Sequence, residues 1–377
     1  MNSRERVLSA CNRKGYDRIP IKHEGTPEIN QMIMNHFGLK NMEQLLLVVG
    51  DDFRYVEPRF CGPELRTFPD GSIEGYFRER YRYAKFEGGK YLESCYQPFA
   101  GIHSVDNLDR SCFPSADWFD YSTIERQAIN LRERGFAVVC GTAGDMDFIN
   151  GIARARGMEQ VLMDLIDDSP VYLEIMNARF KFFYEMHERM LQAGRGLIDF
   201  THTGEDFGNQ NGLMISKQIF EKHFAPKYKK YFAMVHGYGA KAMLHICGCA
   251  YEVLQRLIDI GLDVYDVVQP TTPNMDIANL KVKFGDKLVF CGSVCVQTTL
   301  AWGSPRDVEN EILRRLELFP DGGLFLGPTH AVQVGSPLEN ILAMYRTAGS
   351  LREDIDESIL SVEGSDAVDK INMSKLF

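Results

Sequence analysis

From Phe136 onward the chain alternates short apolar runs with longer amphipathic ones, and that alternation limits the fold more than any other feature of the sequence. The apolar runs are Phe136–Gly141, Gly196–Thr201, Ala240–Cys247, Val264–Val268, Lys287–Cys291 and Gly323–Gly327, with turn-forming residues close behind each. Short aliphatic and aromatic runs of this kind read as parallel strands buried on both faces. Helices are predicted between them, over Met158–Ile166, Val171–Ala193, Ser216–His236, Ala250–Ile260, Ile277–Phe284, Pro305–Leu318 and Pro337–Ser350. Strand alternating with helix at this spacing implies a parallel sheet. With earlier strands at Arg18–Lys22 and Asp52–Val56, the pattern predicts an α/β fold, a single (β/α)8 TIM-type barrel. An open doubly wound sheet competes, but no Gly-x-Gly-x-x-Gly follows a strand where a dinucleotide would sit.

The stretch Phe68–Tyr96 departs from the pattern. Asp-Gly-Ser and Glu-Gly-Gly turns flank alternating Tyr, Arg and Phe, the mark of antiparallel hairpins. The expected organisation is one barrel domain over residues 1–377, with a β-hairpin insertion at 68–96 and an acidic, weakly patterned tail at 353–377.

A formal net charge of −10 argues against a nucleic-acid surface or an anionic membrane, because either wants a basic field. No apolar run approaches membrane-spanning length, and the segment from Met1 lacks the apolar core of a secretion signal, so a cytoplasmic location is expected. Nine cysteines without a secretory leader read as reduced thiols. Small molecules and proteins remain as partners.

In a (β/α)8 barrel the chemistry sits at the C-terminal ends of the strands. The unusual polar residues of this chain gather there: Glu205 and Asp206 after one strand, His245 and Cys247 after the next, then Gln269, then His330. His245 and Cys247 are two residues apart, so on a strand both leave the same face with Cβ atoms roughly 7 Å apart. An imidazole and a thiolate so placed can share one zinc, with further ligands from other strands. Read singly, each residue has a plainer role: buried cysteine is commonly packing, and carboxylates after a strand commonly cap a turn. Cys291 and Cys295 read as packing, since no second cysteine pair stands at zinc-ribbon spacing, and Cys249, just past Gly248 and expected to point away from His245 and Cys247, is a disfavoured ligand.

Asp17-Arg-Ile-Pro20, the run Gly204-Glu-Asp-Phe-Gly-Asn-Gln-Asn-Gly-Leu-Met-Ile-Ser216, His245-Ile-Cys-Gly248, and Gly327-Pro-Thr-His330 with Ser336-Pro-Leu-Glu-Asn340 together resemble the uroporphyrinogen decarboxylase superfamily. More narrowly they resemble its corrinoid-dependent methyltransferase branch. The resemblance runs over nearly the whole chain and implies a distorted (β/α)8 barrel with a zinc at its mouth. The family's ligand positions fall on His245, Cys247 and His330. Thiol-methylating members carry cysteine where this chain has His330, and fewer thiolates leave a harder zinc, better matched to an oxygen ligand. Glu205 or Asp206 would give the fourth contact or hydrogen-bond a ligand. Gln269 and His23 are the candidate substrate contacts.

The parent decarboxylases bind a polycarboxylate with an Arg-rich loop after the first strand. Here that loop is Ile21-Lys-His-Glu-Gly25, in which Glu24 opposes the one cation, Lys22. The resemblance therefore implies an O-demethylating methyltransferase that passes a methyl group from a small donor, an aryl methyl ether, to Co(I) of a corrinoid. No Asp-x-His-x-x-Gly cobalamin motif is present, so the corrinoid is expected on a separate partner protein; a homodimer is compatible with this reading. The alternatives are a metal-free decarboxylase using His330 and Asp206, and a ligand-binding protein on a borrowed barrel.

Overall fold

The computed structural model describes residues 1–364, so the tail expected at 353–377 lies in part outside the described residues. Seven parallel strands form one curled sheet in chain order. They are β1 Phe53–Val56, β2 Ala137–Cys140, β3 Phe200–Gly204, β4 Lys241–His245, β5 Val264–Val268, β6 Val289–Val294 and β7 Leu324–Pro328. The eighth place falls to Pro20–Lys22. Leu326 N–H donates to the Pro20 carbonyl (2.8 Å), Lys22 N–H to Leu326 (3.0 Å), and Asp52 N–H to Ile21 (3.0 Å), which joins the two edges of the sheet. This is the α/β barrel that the alternation predicts.

Arg18–Lys22, expected as a full strand, is reduced to a single bridge at Ile21. Pro20 has no N–H for a ladder, and Arg18 instead turns its guanidinium onto Asp52 (2.9 Å).

Alternation along the strands divides the interior into layers. Phe53, Phe200, Met243, Val264, Val289 and Phe325 form an apolar floor, against which the helix Ser3–Cys11 lays Val7, Ala10 and Cys11. The Phe53 and Phe325 rings meet edge-on at 5.1 Å. Each such ring contributes roughly 1.5–3 kcal/mol by burial. Two residues further along the same strands the inward positions become polar: Tyr55, His202, His245 and Asp266. The floor closes the barrel's N-terminal end, and the chemistry is confined to the other.

Helices cover the outside, with boundaries set by local chemistry. Pro305–Leu318 starts at Ser304, whose hydroxyl accepts from Asp307 N–H while the Asp307 carboxylate accepts from Ser304 N–H. Ile277–Phe284 starts at Asp276, capping Ala278 and Asn279. The helix expected over Ser216–His236 is broken into Lys217–Ile219, a wide turn at Phe220–Phe224, and Ala225–Gly237. Pro226 offers no N–H to the carbonyl four residues back, and the ladder widens there. Gly204 closes β3 where any side chain would strike backbone, a Cβ there lying 1.7 Å from the Ala143 carbonyl oxygen.

Residues 57–123, inserted after β1, hold a three-stranded antiparallel sheet of Ile73–Glu74, Arg80–Phe86 and Gly89–Tyr96. Among the described residues no helix is long and apolar enough to cross a membrane.

Candidate metal centre

β4 ends at His245, and the chain continues extended long enough to place Cys247 on the same side. The two side chains meet, with His245 Nε2 3.0 Å from Cys247 Sγ. His330, in the loop after β7, forms a hydrogen bond with the same sulfur, its ring 6.0 Å from that of His245. The three ligand atoms all lie within 4.8 Å of one another. Gly248 makes the turn possible. Its φ of +76° is in the left-handed region, and a Cβ there would lie 2.8 Å from the Gly208 and Asn209 backbone.

The supports of this turn come from neighbouring strand ends. Asp206 Oδ1 accepts from the Cys247 N–H (3.1 Å), and its Oδ2 accepts from Asn150 Nδ2 (2.5 Å). Gln269 Oε1 accepts from the Gly248 N–H. Glu205 faces away from the cluster: its carboxylate takes the N–H groups of Phe148 (2.8 Å) and Ile149 (3.1 Å) and the Tyr228 hydroxyl (3.3 Å). Burial, with Asp147 nearby, pushes the Glu205 carboxyl well above its ordinary value.

Asp266, in the middle of β5, is not among the candidates the sequence offers and is the hub of the site. It is fully buried, pairing through Oδ2 with His245 Nδ1 and with His202 Nε2, both at 3.0 Å. Lys22 Nζ stands 3.5 Å from its other oxygen and 3.4 Å from Glu24. Tyr55 reaches His202 Nδ1 at 3.3 Å. The signal available in the sequence was a carboxylate inside an otherwise apolar strand, Val264-Tyr-Asp-Val-Val268, since an ionised group buried there must have partners.

Electrostatics follow from this packing. Burial opposes charge on Asp266, yet Lys22, His202 and His245 hold its carboxyl well below the ordinary range. Burial likewise opposes an imidazolium at His245, but the Cys247 sulfur and Asp266 outweigh it and carry its pKa up. The Cys247 thiol, against its own burial, is drawn down by His245 and His330. The hydrogen bond to Cys247 raises His330. His202 is lowered, chiefly by burial.

Among the described residues two groups of side chains could hold a cation: His245, Cys247 and His330, or His202, His245 and Asp266. The second is spent on itself, its carboxylate already shared between two imidazoles and a lysine. The first fits a metal. Its nitrogen and sulfur donors converge across gaps that bonds of about 2.0–2.3 Å can span, and the ligand imidazole of His245 is backed by a carboxylate, as metal-binding histidines are. Cys249 donates its thiol to the Pro273 carbonyl (3.2 Å), away from the cluster. Cys291 and Cys295 are buried.

A cleft beside the centre is lined by Lys22, His23, Glu24, Tyr55, Thr142 and His202, among others. His23 has both ring nitrogens engaged, Nδ1 with the Tyr345 hydroxyl (2.5 Å) and Nε2 with Asn30 (2.9 Å). Asp51 takes the His23 N–H (2.5 Å), and burial pushes its carboxyl up to about 6.

A family model described as uroporphyrinogen decarboxylase (URO-D) matches residues 149–351, just over half of the chain. Among solved structures, a methyltransferase from Methanosarcina mazei superposes with a TM-score of 0.62 at 16% identity, covering 93% of this chain and 98% of that one. An endo-β-1,4-xylanase from Gloeophyllum trabeum covers 91% of this chain and 98% of its own at 9% identity, with a TM-score of 0.44. A vitamin-B12-independent methionine synthase homologue from Listeria monocytogenes covers 90% and 100% at 13% identity, with a TM-score of 0.41. Only the first superposes closely enough to bear on the fold, and it bears on nothing else. No curated protein matches in sequence.

Proposed function

The chain belongs to the uroporphyrinogen decarboxylase family, and from that premise we propose that it is a zinc-dependent methyltransferase. It takes the methyl group of a small donor, an aryl methyl ether, and passes it to Co(I) of a corrinoid carried by a separate protein. The observation that carries this reading is the imidazole–thiolate–imidazole cluster of His245, Cys247 and His330, with Asp266 behind His245.

Those three residues would hold the ion, which would supply a Lewis acid to the oxygen that keeps the bonding pair as the methyl leaves. The chain's own residues prepare the site for this. Asp266 turns His245 so that Nε2 faces the sulfur. Asp206 and Gln269 act as positioning residues, holding the Cys247 and Gly248 backbone through their acceptor oxygens. Glu205 fixes the Phe148–Ile149 backbone at the neighbouring strand end. Tyr55, His23 and Thr142 line the cleft where the aromatic ring of the donor would lie. In the transfer the carbon–oxygen bond breaks, phenolate leaves with its electron pair, and the two electrons of Co(I) form the cobalt–carbon bond.

A metal-free decarboxylase has weaker support. The cation available in the first loop, Lys22, is buried between Glu24 and Asp266 and has no charge to spare for a polycarboxylate. Metal analysis tests the proposal: about one zinc per purified chain is expected, as a single catalytic site requires, and both His245→Ala and Cys247→Ala should lose it. Zinc retained by both variants would refute the ligand set.

A further inference from the structure

The hairpin Arg80–Phe86 and Gly89–Tyr96 is anchored at both ends to the rim that carries the metal centre. At its base Ser94 Oγ donates to the Arg154 carbonyl (2.5 Å), beyond the C-terminal end of β2. At its tip the Lys90 N–H donates to Glu28 (3.2 Å), and Gly88 lies against Val334. Val334 belongs to the loop that carries His330, so the hairpin arches along the barrel mouth and leans on a ligand-bearing segment.

Its exposed face carries aromatic and basic side chains together. Tyr83, Phe86 and Tyr91 are 46%, 43% and 53% exposed, and Arg82, Lys85 and Lys90 are exposed around them. Lys90 lies over the Tyr83 ring at 4.3 Å, and the Phe86 and Tyr91 rings stand 6.1 Å apart. Four basic residues against two acidic ones, Glu87 and Glu93, mark residues 80–96 as basic within a chain of net charge −10. On the other flank of the His330 loop, Trp302 is 85% exposed, at the end of the short helix Thr299–Trp302 that follows β6. Asn340 secures that helix to the loop's far end by donating to Leu300 (3.1 Å) and Gly303 (2.7 Å). Clustered exposed aromatics are what protein interfaces select, and the basic groups around them add an attraction for an acidic partner.

We propose that the hairpin tip and Trp302 form the docking face for the corrinoid protein, which meets them with an acidic surface. The inference rests on the function proposed above. A methyl acceptor carried by a protein has to enter at the barrel mouth, so that protein must cover this rim. An acidic body would repel an acidic partner, and the basic hairpin provides the local attraction that orients it. The aromatic groups then supply the buried anchors.

The test compares wild type with Lys85→Glu/Lys90→Glu, Tyr83→Ala/Tyr91→Ala and Trp302→Ala, using a purified holo-corrinoid protein from the same cells. Binding is measured by calorimetry, and methyl transfer is measured both to that protein in its Co(I) form and to free cob(I)alamin. The variants should bind at least ten-fold more weakly and show a KM for the corrinoid protein raised by a similar factor. Their rates with free cob(I)alamin should stay within two-fold of wild type. Binding by wild type should weaken with added salt, and less steeply so in the charge-reversed variant. Unchanged affinity in all three variants, or no binding by wild type, would overturn the docking face. So would equal losses with both acceptors, because the hairpin would then serve the site itself. Wild type that binds the protein but transfers methyl to neither acceptor would instead refute the methyltransferase reading and leave the surface standing.

Discussion

Asp266 concentrates the electrostatics of the site on one carboxylate, shared by His202, His245 and Lys22 in the barrel interior. In the Asp266→Asn variant the shape remains and the charge that orients His245 is removed. Zinc affinity should fall about 10–100-fold, as carboxylates behind metal-binding histidines imply, read by competition with a chromogenic chelator; unchanged affinity would mean that His245 is held by something else. Asp51 gives a pH signature. Burial raises its carboxyl to about 6, so the folded chain keeps a proton that the unfolded chain gives up near the ordinary value of about 4. Stability from this group is complete below about 4 and is lost as pH rises through about 6. Relative to Asp51→Asn, wild type should lose up to about 3 kcal/mol between those limits, measured from urea midpoints. His245, Cys247 and His330 could be picked out from sequence because each stands at or just past a strand end, where alternation fixes the face. Asp266 is harder to read, since its only signal is a lone carboxylate inside an apolar strand, and His202 falls one residue past the expected strand Gly196–Thr201 but inside the observed one, Phe200–Gly204.

At the scale of elements, Met158–Ile166, Pro305–Leu318 and Ile277–Phe284 begin and end where the sequence places them. Pro305–Leu318 and Ile277–Phe284 have the expected ends because Ser304 and Asp276 leave no other start available. Ser304→Ala should cost about 1 kcal/mol, seen as a lowered urea midpoint with unchanged slope. Gly248→Ala tests the turn beneath the proposed metal ligands. A left-handed backbone costs an L residue about 1–2 kcal/mol, and the added Cβ meets backbone at 2.8 Å. The turn should shift, so both stability and zinc affinity should drop; loss of neither would show that the turn has slack. The sequence pattern predicts no helix before Met158, yet Ser3–Cys11, Pro27–Phe37, Met42–Val49, Ile124–Glu133 and Asn150–Arg156 are there. Ser3–Cys11 escaped notice because its inward face is short, with Val7, Ala10 and Cys11 set among charged residues.

For the whole molecule, the seam between the first and last strands decides whether the mouth is complete. Asp52 is fully buried there, bound to Arg6 (2.7 Å), Arg18 (2.9 Å) and the Ile21 N–H (2.8 Å). Asp52→Ala leaves Arg18 without its carboxylate, Arg6 with Asp17 alone and the Ile21 N–H unpaired, and should destabilise the fold by about 3 kcal/mol, whereas a midpoint near wild type would place closure elsewhere. The barrel itself was legible because strands buried on both faces can only stack in parallel between helices. Its distortion at Pro20 was not, since a one-residue bridge has no periodicity to detect. The central claim is that this mouth holds a zinc that methyl transfer requires. Zinc is removed with a chelator and then titrated back while consumption of cob(I)alamin with a methoxylated aromatic donor is followed. Activity should vanish on removal and return in proportion to zinc, saturating near one ion per chain, as a single site requires. Full activity in the metal-free protein would contradict the account.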